Sequence, residues 1–153
     1  MKDISMKTRQ GFVSNSSSSS FIVIDASNGY GTFDVGWRLI VGDKGDAQFG
    51  WDNIKYDNIF DRINFAYIQT NYGEDVNQLT MLEEVLKENA IGLTTIHWGI
   101  TDSYDDKDKV WGYIDHQSAR CEGQNMEMFD SKQTLKDFIF GKNSYIQGGN
   151  DNE

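Results

Sequence analysis

Proline is absent from this chain, cysteine occurs once and histidine twice. Average proline usage is about 5%, so every reversal here must be made by Gly, Asn, Asp or Ser. The lone Cys121 cannot close an internal disulfide, and the fold therefore needs no oxidising compartment. Basic residues are scarce as well: 14 Lys+Arg stand against 24 Asp+Glu, a formal net charge of −10. Such a field repels polyanions, which argues against direct nucleic-acid binding and against anionic membrane surfaces. No apolar run approaches the roughly 20 residues of a membrane span. The polar start, Met1 to Gln10, lacks the apolar stretch of a secretory signal. Together these features read as a cytoplasmic protein.

What the chain does contain is aromatic surface. Nine Phe, seven Tyr and four Trp bring the aromatic share to 13%, with 38% of residues apolar. That suffices for one core, and 153 residues suit one domain, read here as 1–153 with a flexible start over 1–8 and a terminal tail over 148–153. Turn signals are spaced along it at Asn28-Gly29-Tyr30-Gly31, Gly42-Asp43-Lys44-Gly45, Asn71-Tyr72-Gly73 and Gly148-Gly149-Asn150.

Between the turns the apolar period changes. Phe21 to Ile24 reads as a strand covered on both faces. Gly36 to Val41, with Trp37, Leu39 and Val41 on one side, and Ala47 to Trp51 alternate on either side of Gly42–Gly45, which predicts a β-hairpin. A helix with a broad buried face is predicted over 57–71, from Ile59, Phe60, Ile63, Ala66 and Tyr67, with Phe65 and Ile68 widening the stripe. A second runs over 76–89, capped by Asp75 with Gln78 three residues on and closed near Gly92. Strands follow at Leu93–Ile100 and Val110–Asp115, separated by a polar loop. The last helix spans Ser131–Phe140 with Asp130 as its cap, and a final strand Ser144–Gln147. The expected class is α+β, a mostly antiparallel sheet packed by two or three helices.

Several segments have the residue types for chemistry. Ser14, Asn15 and the run Ser16, Ser17, Ser18, Ser19, Ser20 lie between Phe12-Val13 and Phe21-Ile22-Val23. Apolar flanks that want burial would pin this loop at both ends, presenting hydroxyls and backbone N–H groups to a polar or anionic small ligand. It lacks the Gly-Lys pair of a phosphate-binding P-loop. Asp115-His116-Gln117-Ser118 ends a predicted strand, where His116 suits proton transfer and Asp115 its orientation, provided the strand has ended or bulged there. His97 lies on a neighbouring predicted strand, and with His116 and Asp115 or Asp151 it makes a two-histidine metal site conceivable. No compact ligand spacing accompanies it, so no metal is assigned and any cofactor stays unspecified. Asp102, Asp105, Asp106 and Asp108 crowd one loop without the central Gly and late Glu of a calcium loop, and read as a solvated acidic surface. Asn150 and Asp151, carried back by Gly148-Gly149, would add polar groups beside the serines.

The stretch from Arg9 to Phe21, Arg-x-Gly-Phe-Val-Ser-Asn-Ser-Ser-Ser-Ser-Ser-Phe, resembles the N-terminus of many small proteins of bacteriophages and some bacteria. Gly112 to Ser118, with Tyr113-Ile114-Asp115-His116-Gln117-Ser118, and Leu135 to Asn152, with Gly149-Asn150-Asp151-Asn152, are similar to segments of a subset of them. The resemblance implies a phage-type origin and assigns no catalytic residue. The resulting expectation is an accessory protein that binds a host protein or a polar ligand in the host cytoplasm. A small enzyme or nucleotide-handling protein built on the serine loop, His97, Asp115 and His116 is the alternative, and a virion component a third.

Overall fold

The computed structural model describes residues 21–50, 53–114 and 123–148, and in it helix forms where the apolar spacing is helical. The helices are α1 (Ile59–Gln69), α2 (Val76–Asn89) and α3 (Lys132–Phe140). Each opens on a side-chain cap. Asn58 accepts from the Phe60 N–H, Asp75 from the Gln78 N–H, and Ser131 from the Thr134 N–H. The last of these corrects the expected cap by one residue. The Ser131 hydroxyl takes the position assigned to Asp130, and Gly141 closes the helix as expected.

The strands are short: β1 (Phe21–Val23), β2 (Arg38–Val41), β3 (Gln48–Phe49), β4 (Lys55–Tyr56), β5 (Thr95–Trp98), β6 (Ile100–Thr101), β7 (Val110–Trp111), β8 (Tyr113–Ile114) and β9 (Tyr145–Gln147). With the helices they make a single-domain α+β fold. β9 lies between β1 and β4 in an antiparallel sheet, Ile146 opposite both Ile22 and Tyr56. The remaining pairs, β2·β5, β3·β8 and β6·β7, are parallel, so pairing is more mixed than the strand pattern suggests. Backbone bonds stitch these pairs together. The Gly99 N–H donates to Val41 O, Val110 N–H to Gly99 O, and Tyr113 N–H to Ala47 O.

The predicted hairpin does not form. β2 and β3 run out of the Gly42–Asp46 loop to different partners, because α1 holds that loop. Asn64 accepts from the Gly42 N–H at 3.0 Å and donates to Lys44 O at 2.9 Å and Asp46 O at 2.8 Å. Asp61 accepts from the Asp46 N–H at 2.7 Å. Gly45, at φ +77°, lies so close that a Cβ would sit 2.7 Å from the Asp61 carboxylate. The backbone groups that a hairpin would pair across the strands are therefore paired with a helix.

α1 is buried on all sides from Asp61 to Gln69, more completely than the broad stripe predicts. It packs on α2, α3, β2 and β8. Its Phe65 joins a series of ring contacts through the core: Tyr56 and Phe49 meet edge to face, as do Phe49 and Phe65, and Phe65 lies tilted against Phe138. Its Asp61, Arg62 and Asn64 side chains bond to backbone. Arg62 donates to Ile139 O, Ser144 O and Asp57 O at 2.9, 2.9 and 2.7 Å, tying the end of α3 and the start of β9 to the helix. Burial pushes this guanidinium down to about 10, which leaves it charged at neutral pH. Trp37 departs from its expected side: Leu39 and Val41 are buried, while Trp37 is 64% exposed.

Two outcomes follow for α1. Replacing Asn64 with Leu leaves the Gly42 N–H and the Lys44 and Asp46 carbonyls without their buried partner, and should cost about 2–4 kcal/mol in urea denaturation; an unchanged midpoint contradicts the loop's attachment. Burial raises the Asp61 carboxyl above its ordinary 3.8, so the folded protein holds that proton more tightly than the unfolded chain. Stability from this group then falls as pH rises from 3.8 through the raised value. Asp61→Asn does not titrate, and its stability relative to the parent should grow over that rise.

Candidate functional site

Of the candidate residues, Ser14, Asn15, Ser16, Ser17, Ser18, Ser19, Ser20, Asp115, His116, Gln117, Ser118, Asn150 and Asp151 lie outside the described residues, as does Cys121. His97 is described. It stands exposed on β5, in register with Ile40 of β2, and shares an outer face with Arg38, Ile40 and Thr95. β5 bonds to β2, whereas β8, the last described strand before position 115, bonds to β3. Among the described residues, no carboxylate bonds the His97 ring and no three His, Cys, Asp or Glu side chains converge as a metal site would require.

The described residues do assemble a surface that the sequence reading passed over. Gly112 faces the core so closely that a Cβ would meet Ala47 O and Ile100 Cγ2 at 2.8 Å each. Ile114, two residues on, is buried on the same side. By strand alternation Trp111 and Tyr113 point outward, both half-buried. Their rings lie 4.7 Å apart at 34°. Tyr104, from the loop before β7, lays its ring on Trp111 at 4.4 Å and 22°. Tyr104 remains 76% exposed, so the face turned away from Trp111 is open to solvent.

The backbone beneath is braced from within. The Tyr72 hydroxyl donates to Gly112 O at 3.0 Å, from a turn in which Asn71, Tyr72 and Gly73 all have left-handed φ values of 60°, 56° and 88°. The Tyr67 hydroxyl donates in turn to Tyr72 O at 2.9 Å. A side chain like that of Tyr72 adopts such a φ only where its surroundings hold it there.

The loop that carries Tyr104 joins two parallel strands over residues 102–109, short for a parallel connection. It suffices because β6 and β7 are only two residues each, so the chain has little distance to retrace. Its turns are self-bonded: Ser103 N–H to Thr101 Oγ1, Asp105 N–H to Ser103 Oγ, Asp108 N–H to Asp106 Oδ1. Asp102, Asp105 and Asp108 are exposed, and among the described residues they form no ion pair. The acidic side chains of α2 differ. Glu83 pairs with Lys87, and Glu84 and Glu88 share Lys132 of α3.

Comparisons with protein-family models, curated proteins and solved structures return no match. At β7–β8 three rings stack with Tyr104 outermost and exposed, and the same loop carries Asp102, Asp105 and Asp108, which form no ion pair among the described residues. Gly112→Ala forces a methyl group against Ala47 O and Ile100 and should cost about 1–3 kcal/mol. It should also change the near-ultraviolet circular dichroism of the Tyr104–Trp111–Tyr113 stack. Tyr104→Ala should alter the same bands with a stability change under about 0.5 kcal/mol. A Gly112→Ala protein with parental stability and spectrum contradicts this placement.

Proposed function

We propose that this chain is a small acidic binding protein of phage type, which acts by docking onto a basic surface of a host protein. The observation that carries the reading is the Tyr104–Trp111–Tyr113 stack beside Asp102, Asp105 and Asp108. Exposed rings supply contact area at low entropic cost, and carboxylates with no ion pair among the described residues supply steering and register. The overall charge of −10 extends that field over the molecule and favours basic partners over nucleic acids. The phage-like segments at Arg9–Phe21 and Gly112–Ser118 support the biological setting. The second of them begins at the glycine that turns Trp111 and Tyr113 outward.

The loop serves this purpose better than α2, although both are acidic. The α2 carboxylates already have lysine partners, so a basic protein would have to displace them. Those of the loop have none among the described residues.

Capture of host proteins on the immobilised full chain, eluted with rising salt, tests the reading. The retained partner should be basic and should weaken about tenfold from low to physiological salt. Asp102→Asn, Asp105→Asn and Asp108→Asn combined should weaken it about tenfold more, and Glu83→Gln with Glu84→Gln and Glu88→Gln less than about twofold. Retention that survives high salt, or that the aspartate variant leaves intact, contradicts it.

A further inference from the structure

The aromatic stack is more selective than a generic basic partner requires, and we infer that it reads arginine rather than lysine. This inference rests on the docking role proposed for the same face. The outer face of β7–β8 ends in the Tyr104 ring, whose inner side is covered by Trp111 and which is otherwise exposed. A flat open ring suits a flat cation. Guanidinium is planar and weakly hydrated, and while stacked it still directs N–H groups sideways from its edge. The same loop supplies carboxylates: Asp102 and Asp105 are the second neighbour and the immediate neighbour of Tyr104 in sequence, and both are exposed. One arginine side chain can therefore stack and pair at once. An ammonium is a compact, strongly hydrated charge that must give up one contact to make the other.

No cation among the described residues lies over the Tyr104 ring. Among the described residues, the cations lying over rings are Lys44 over Phe60, Lys55 over Tyr145 and Lys136 over Tyr30. Lys107 and Lys109 flank the stack in sequence without covering it, and the loop's four aspartates outnumber its two lysines. The charge balance thus favours an arriving cation, and the shape of the ring favours guanidinium. The occupant is an arginine-bearing segment of a partner protein.

The test compares labelled octa-arginine and octa-lysine peptides, equal in charge and length, by fluorescence polarisation against the full chain at low salt. Octa-arginine should bind about fivefold more tightly. Tyr104→Ala should abolish that preference while leaving the weaker, salt-sensitive binding of both peptides, and Tyr104→Phe should retain it. Since Tyr104 is exposed, both variants keep the fold. Equal affinities in the parent protein, or a preference that persists in Tyr104→Ala, overturn arginine reading and leave the docking role standing. Failure of both peptides to bind overturns both. A neutral sugar ring could also lie on such a face. Competition by neutral oligosaccharides that is indifferent to salt and to the aspartates would overturn the cation assignment in favour of a carbohydrate.

Discussion

Asn64 sits in the middle of a helix that is buried on every side, and its amide is bonded to three backbone groups of the loop between β2 and β3. Much of the architecture depends on that attachment. With the Gly42–Asp46 loop held on α1, β2 cannot fold back on β3. β2 instead takes β5 as its parallel neighbour, and β3 takes β8. The β7–β8 segment is then fixed between β6 and β3, with Gly112 against the core and Trp111 and Tyr113 turned out. A polar contact inside the helix layer thus decides which rings reach the surface. Arg62 does the corresponding service at the other end of α1, where it gathers α3 and β9 through their carbonyls.

Buried polar groups are costly unless satisfied, and a satisfied network specifies one arrangement among several that an apolar core would tolerate. The short strands of this protein need such specification. Strands of two to four residues have little pairing of their own to set register, and several parallel pairs here are that short. Side-chain-to-backbone bonds from α1, and the Tyr67–Tyr72–Gly112 chain of hydroxyl bonds, supply what the ladders lack.

The helices and the α+β class were legible in the sequence because their signals are local. Asp75 caps α2 where its spacing to Gln78 places the helix start, and Leu82, Val85 and Leu86 of its stripe are buried. Most strand positions were legible too, although not β4, and partners were not. Alternation on both sides of Gly42–Gly45 is the same whether the strands pair with each other or with β5 and β8. The deciding residues, Asp61 and Asn64, read as the polar side of an amphipathic helix, and no local pattern distinguishes a solvated Asn from one that holds a loop. Trp37 went astray because alternation was extended one residue beyond the strand. The aromatic surface had a legible trace, Trp111 and Tyr113 two apart with Tyr104 among aspartates, but the contact between Tyr104 and Trp111 depends on the parallel pairing of β6 with β7. The acidic loop itself was read as a solvated surface, and its exposure agrees.

The proposed docking role localises recognition at one face. Amide chemical-shift mapping of the isotope-labelled protein during titration with a basic peptide tests it most directly. The account predicts shifts concentrated at Thr101 to Ile114 and at the neighbouring Gln48, with α2 and α3 silent. Shifts concentrated on the acidic face of α2, or spread evenly over the surface, would contradict it.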